Sequence, residues 1–255
     1  MQITDLKVFA GTRGIKLSGQ DEIISEALGQ ILSRYRKNSE LLKENFDSAV
    51  SDSESLAYEI YLEKEAAYGR KVFMAFAQYL LVSGELPETE KLGEVLGAHF
   101  KTFDRFYLSL AQSRKSRAGK GFEEIHNALF SRLGYPFTSQ AVINGKPDFI
   151  MPSVDYYRKN PMDSIIFTAK RTLRERWRQI VTEGTRGLGF YLATIDPAIT
   201  GEQLGEMLQH RIYVVVPETL KAEKYIRREN VISFREFFRD HLDPRMEVWK
   251  RKGIV

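Results

Sequence analysis

Two short stretches carry residue types suited to phosphoryl chemistry. Pro147-Asp148-Phe149-Ile150 sets a carboxylate at the start of one β-type run, and Ser164-Ile165-Ile166-Phe167-Thr168-Ala169-Lys170 sets an amine at the end of another. A hairpin or meander brings two such ends side by side, the arrangement that metal-dependent phosphodiester cleavage requires. Asp148 suits a hard cation such as Mg²⁺, which takes oxygen ligands and keeps several waters. Such a metal polarises the phosphate and helps generate hydroxide. Lys170 can orient or deprotonate the attacking water and offset charge on the phosphorus. An Asp and a distant Lys taken alone also describe two surface charges at strand ends, so the surrounding residues decide.

The segment after the lysine continues Arg174-Glu175-Arg176-Trp177-Arg178-Gln179, with Glu183 further on. In a helix beginning near Thr172, the Arg-Glu-Arg triplet falls in the first turns. Arginine donates two hydrogen bonds to guanine O6 and N7, and glutamate accepts from cytosine N4, so the triplet suits two adjacent G·C pairs in a major groove. Glu183, about two turns later, is placed to reach back to the metal. A solvated helix with i,i+3 and i,i+4 ion pairs uses the same residues. Upstream, Ser113–Glu123 contains Arg114, Lys115, Arg117 and Lys120 with two glycines. This reads as a phosphate-contacting loop that opens a helix, or as a flexible solvated loop. The spacing of a Walker phosphate loop is absent.

Composition narrows the remaining classes. The chain has 255 residues, 43% hydrophobic and 28% charged, which is enough to build a core and excludes intrinsic disorder. Lys and Arg number 38 against 34 acids, a balance that permits a nucleic-acid binder if the positive charge is concentrated. The absence of cysteine excludes disulfides, thiolate zinc sites, iron–sulfur clusters and cysteine nucleophiles. The four histidines, His99, His126, His210 and His241, are too scattered for a multi-histidine metal site. No uncharged stretch approaches the roughly 18 residues of a membrane span. The opening MQITDLKVFAGTRG lacks the apolar core of a secretory signal, so a soluble, cytoplasmic protein is expected.

Periodicity divides the chain near residue 135. Before it, apolar residues recur at helical spacing in Glu22–Arg36, in Ser53–Ser83 with a break at Gly69, in Glu88–Gln112, and in Gly121–Gly134 with a glycine stop. After it come β-type runs at Thr138–Ile143 and Asp148–Met151, separated by the Asn144-Gly145 turn signal. Further runs are expected at Ser164–Ala169, Phe190–Ile195 and Arg211–Pro217, with helices at Arg171–Leu188 and Gly201–Gln209. Alternating strands and helices imply a mixed sheet with helices on its faces. One α/β domain over 1–255 is expected, with a mainly helical portion, 1–112, packed on a core, 113–255.

Taken together, these residues resemble a known family. Arg114-x-Ser116-Arg117-x-Gly119-x-x-x-Glu123, then Pro147-Asp148, then Lys170 with Glu183 thirteen residues on, is similar to the type II restriction endonucleases of the PD-(D/E)xK superfamily. Within it the chain resembles the branch of the EcoRII catalytic domain, SsoII and PspGI, which reads CC/GG-containing sites. The run Ala169-Lys170-x-Thr172-x-x-Glu175-Arg176-Trp177-Arg178-Gln179 is particularly close to the EcoRII and SsoII members.

The resemblance implies a PD-(D/E)xK core and Mg²⁺-dependent hydrolysis of double-stranded DNA at a five-base-pair CCNGG or CCWGG site. It implies cutting before the first C to leave 5′ overhangs, with flipping of the central bases. Position 168 is Thr, whereas the general pattern has an acid two residues before the lysine. In this branch that acid sits in the following helix, and Glu183 matches its place. The resemblance makes Asp148, Lys170, Glu183 and Glu123 catalytic, with Asp148 and Glu183 holding the metal. It makes Arg174, Glu175 and Arg176 the readers of the CC:GG pairs, and Arg114, Arg117 and Lys120 further DNA contacts. Gln112 is the minor-groove candidate, and Arg70, Phe73 or Met74 are candidates for stacking on a flipped base, although helical core is the simpler reading of Phe73 and Phe76. A homodimer on a pseudo-palindrome is implied, with a cognate DNA methyltransferase as genetic partner and a stand-alone enzyme that needs no second effector site. A structure-specific repair nuclease and a non-catalytic DNA-binding protein on the same fold are the alternatives.

Overall fold

The β-branched and aromatic run Ile165–Ala169 forms strand β3, and all five of its residues are buried. Burial on both faces is what a central strand of a mixed sheet demands. This computed structural model describes residues 3–36, 38–84, 92–143, 146–173 and 190–255. Around β3 the strands follow chain order: β1 (Thr138–Ser139), β2 (Phe149–Met151), β3, β4 (Phe190–Ala193), β5 (Ile212–Val216) and β6 (Val231–Ser233). The β1–β2–β3 portion is an antiparallel meander. From β3 to β6 neighbouring strands run parallel.

Helices fall into order along the chain as α1 (Leu6–Thr12), α2 (Gln20–Ser33), α3 (Ser39–Glu44), α4 (Phe46–Val82), α5 (Leu92–Ala98), α6 (Phe100–Arg132), α7 (Val154–Lys159), α8 (Gly201–Gln209) and α9 (Glu218–Lys224). A last helical run opens with α10 (Phe234–Glu236), passes through a π-turn at Phe237–Leu242 and ends in α11 (Asp243–Arg251). The chain forms two compact units: Met1–Ala27 with Ser55–Ala118, and Leu28–Glu54 with Gly119–Val255.

The second unit holds the sheet, and two cores cover it. One joins Ile150, Ile166, Leu192 and Val214 to Leu204 and Met207 of α8. Helix α8 is opened by a capping box, in which the Thr200 hydroxyl accepts from the Gln203 amide and the Gln203 side chain accepts from the Thr200 amide. The other core is aromatic: Phe46, His126 and Phe130 pack against Phe167 and Phe234. The first unit is helical, and its core joins Leu6 and Ala10 of α1 to Tyr68, Val72, Phe76 and Leu80 of α4 and Phe106 of α6.

Several sequence expectations need revision. Helix α4 starts at Phe46 and passes through Gly69 without a break. A helical glycine costs about 1 kcal/mol relative to alanine, and burial of Tyr68 and Val72 on either side outweighs it. Strand β1 is short because Gln140 turns into the left-handed region at φ 56°. The Asn144-Gly145 turn and most of the helix expected at Arg171–Leu188 lie outside the described residues. The basic run Ser113–Lys120 is not a loop: α6 runs through it from Phe100 to Arg132, and Gly134, at φ 76°, supplies the expected stop. No helix among the described residues is long and apolar enough to cross a membrane.

Candidate active site

Ladder geometry sets the site. The β2–β3 register pairs Phe149 with Phe167, so one step further Asp148 stands opposite Thr168. The β1–β2 register pairs Ser139 with Phe149, so one step further Gln140 stands opposite Asp148. The carboxylate is thus flanked from both neighbouring strands. Its Oδ2 accepts from Thr168 Oγ1 at 2.7 Å and from the Ala169 amide at 2.8 Å. Lys170 Nζ donates to Oδ1 at 3.0 Å and to Oδ2 at 2.9 Å. Asp148 is 3% exposed, and a buried carboxylate needs this number of donors to remain charged. The Lys170 side chain is 33% exposed, so it spans from the carboxylate to solvent.

Helix α6 brings the second acid. Burial pushes the Glu123 carboxyl up, and the nearby charge of Asp148 pushes it further, against the opposing pull of Gln140 and Lys170. The Gln140 side-chain amide donates to Glu123 Oε1, and the Gln140 backbone amide donates to the Asp148 carbonyl at 3.0 Å. Asp148, Lys170 and Glu123, expected together from sequence, are therefore brought together.

The donor set fits a hard divalent cation. Among the described residues Asp148 Oδ1 has only the Lys170 ammonium as its hydrogen-bond partner, and the mutual repulsion of Glu123 and Asp148 is what a cation would relieve. No three His, Asp or Glu side chains converge among the described residues. The third expected acid, Glu183, lies outside them, as do the reader residues Arg174, Glu175 and Arg176.

The chain leading from Lys170 into that segment is tethered. Arg171 pairs with Glu54 of α4 at 3.0 Å. Burial raises the Glu54 carboxyl, an effect partly offset by Arg171. The Arg171 carbonyl accepts from Thr194 Oγ1 at 3.2 Å, and the Leu173 amide donates to Asp196 Oδ2 at 2.9 Å. Neither Glu54 nor Asp196 announces this role in the sequence. Gln140 is equally silent there, because an isolated glutamine carries no motif.

The other expected contacts sit on α6 and α4. Arg114 forms an ion pair with the buried Glu65 through Nε and Nη2, and Tyr61 also donates to Glu65. Burial alone would raise the Glu65 carboxyl, but Arg114 and Tyr61 hold it down. Arg117 donates to the Ser18 carbonyl at 3.1 Å and lies over the Tyr61 ring. Lys120 pairs with Glu124 one turn on, and Gln112 is exposed. Arg70 and Met74 are exposed, whereas Phe73 and Phe76 pack into the helical core.

His126, one turn after Glu123, is fully buried among phenylalanines. Its Nδ1 donates to the Phe122 carbonyl at 2.7 Å, Nε2 has no partner among the described residues, and burial lowers its pKa to about 4.

An antiparallel meander continuing into parallel strands, with an aspartate entering β2 and a lysine leaving β3, defines a restriction-endonuclease-like α/β core of the PD-(D/E)xK type. Known proteins agree. The family model described as EcoRII C terminal matches residues 85–238, more than half of the chain, and the chain belongs to that family. The type II restriction enzyme SsoII of Shigella sonnei is 34% identical over 148 residues, covering 53% of this chain and 48% of that protein. The type II restriction enzyme EcoRII of Escherichia coli is 32% identical over 147 residues, covering 53% and 36%. These matches thus span about half or less of the relatives' length.

Among solved structures, metal-depleted Ecl18kI in complex with uncleaved DNA superposes with a TM-score of 0.79 at 24% identity, covering 98% of this chain and 85% of that one. The likeness to Ecl18kI concerns the fold alone. The PspGI restriction endonuclease–substrate DNA complex gives a TM-score of 0.60 at 25% identity, covering 92% and 94%.

Proposed function

We propose that the chain is a type II restriction endonuclease, hydrolysing double-stranded DNA at a CCNGG or CCWGG site. The observation that carries the reading is the Asp148 carboxylate, buried between Thr168 and Gln140 and bonded to Lys170 Nζ. A buried carboxylate at a strand end, with a lysine side chain reaching from it towards solvent, is the pair that in-line attack on a phosphodiester uses.

In this reading Asp148 and Glu183 hold Mg²⁺ with Glu123 alongside, and the ion when bound contributes polarisation of the phosphate and acidification of a water. Lys170, held against Asp148, presents positive charge where the phosphorus gains negative charge. Its Nζ also orients the attacking water by hydrogen bonding. The Arg171–Glu54 and Leu173–Asp196 contacts fix the chain immediately before Arg174, Glu175 and Arg176, which read the CC:GG pairs. Lys120 and Gln112 supply further contacts to DNA, as would Arg114 and Arg117 once released from Glu65 and Ser18. The protein acts as a homodimer, flips the central bases and cuts before the first C, within a restriction–modification system that includes a cognate methyltransferase.

The test is Asp148→Ala. Cleavage should vanish while binding to CC/GG duplexes persists; retained cleavage would overturn the assignment.

A further inference from the structure

The site contains a residue with an uncommon backbone conformation. Gln140 adopts φ 56°, a region that a non-glycine residue enters at an energetic cost and in which Asn, Asp and Gly are the usual occupants. Such outliers persist where surrounding contacts over-determine them, and they gather at functional sites.

Both polar ends of Gln140 are engaged there. Its backbone amide donates to the Asp148 carbonyl at 3.0 Å, extending the β1–β2 ladder by one rung. Its side-chain amide donates to Glu123 Oε1. Gln140 is the residue that links α6, which carries one acid, to the strand that carries the other. An aspartate or glutamate at this position would bring a third negative charge. Glycine would relax the backbone but carries no amide to offer Glu123.

We propose that Gln140 is a positioning residue, whose amide holds the Glu123 carboxylate beside Asp148 so that the two acids form one seat for a divalent cation. The proposal rests on the nuclease reading of this site. The left-handed backbone is the cost of aiming that amide, so stability and cation affinity should respond in opposite directions when it is relaxed.

The experiment compares the unaltered 255-residue chain with Gln140→Gly, Gln140→Ala and Asp148→Asn. Denaturant midpoints are measured without metal, and Mn²⁺ affinity is read from water-proton relaxation. Gln140→Gly should keep or raise the midpoint yet bind Mn²⁺ several-fold more weakly. Gln140→Ala, which keeps the strained backbone and loses the amide, should show the same loss of affinity with a lower midpoint. If Mn²⁺ binding needs Asp148 but is unchanged in both Gln140 variants, the proposal fails while the nuclease reading stands. If Asp148→Asn binds Mn²⁺ as the wild type does, the nuclease reading fails and takes the proposal with it.

Discussion

Lys170 Nζ lies 3.0 Å and 2.9 Å from the two carboxylate oxygens of Asp148, across the meander that joins β2 to β3. The two residues are twenty-two apart in sequence, and only strand pairing brings them into contact. Lys170→Met would leave a buried carboxylate with two donors instead of three, destabilising the protein by about 2 kcal/mol. Adding Asp148→Asn removes the orphaned charge. The double variant should therefore be more stable than the sum of the single losses by about 1–2 kcal/mol. Strict additivity in denaturant unfolding would show that the pair does not interact.

Thr168 occupies the position where the general pattern has an acid, and its hydroxyl donates to Asp148 Oδ2 at 2.7 Å. Thr168→Val keeps the shape and removes the donor. The expected loss of stability is about 1–2 kcal/mol, together with a marked loss of cleavage because Asp148 is no longer oriented. Thr168→Ser should restore most of both. Equal behaviour of Val and Ser in unfolding and cleavage assays would show that the hydroxyl is dispensable.

His126 sets a pH dependence. Burial lowers its pKa from 6.5 to about 4, so between these values the unfolded chain binds a proton that the folded chain does not. Its contribution to stability is therefore complete above pH 6.5 and falls as pH drops through that window, by about 3 kcal/mol in all. His126→Leu fits the same phenylalanine-lined space and should flatten this part of the stability curve. An unchanged slope in the variant would assign the dependence to other groups.

The sequence displayed the core of this site but not its supports. Asp148 and Lys170 were legible because a carboxylate and an amine at the ends of apolar runs is a chemical pattern, and Glu123 followed from the family resemblance. Gln140, Glu54 and Asp196 were not legible, since their roles exist only after strand pairing and helix packing bring them into place. The same distinction holds for the fold. Gly201–Gln209 coincides with α8 because its capping box is local. The basic run at Ser113–Lys120 misleads because Glu65, which neutralises Arg114, comes from another helix. Strand β6 is only three residues long, Val231–Ser233, too short for alternation to register.

Reader and backbone contacts should separate by salt and sequence. If Arg174 and Arg176 read guanines, replacing either by alanine should cost about 1–3 kcal/mol on the cognate duplex and erode discrimination at one base pair. Lys120→Ala should weaken binding uniformly across sequences and reduce the salt slope by about one. Uniform weakening by Arg174→Ala, with discrimination intact, would make Arg174 a phosphate contact instead.

The most direct measurement is digestion of a fully sequenced plasmid in the presence of Mg²⁺, with every new end mapped by sequencing and Asp148→Asn run alongside. Discrete ends before the first C of CCNGG or CCWGG sites, absent with the variant, are the expected result, and they would also identify the central base pair. Random nicking, or ends that persist in Asp148→Asn, would contradict a site-specific endonuclease built on Asp148 and Lys170.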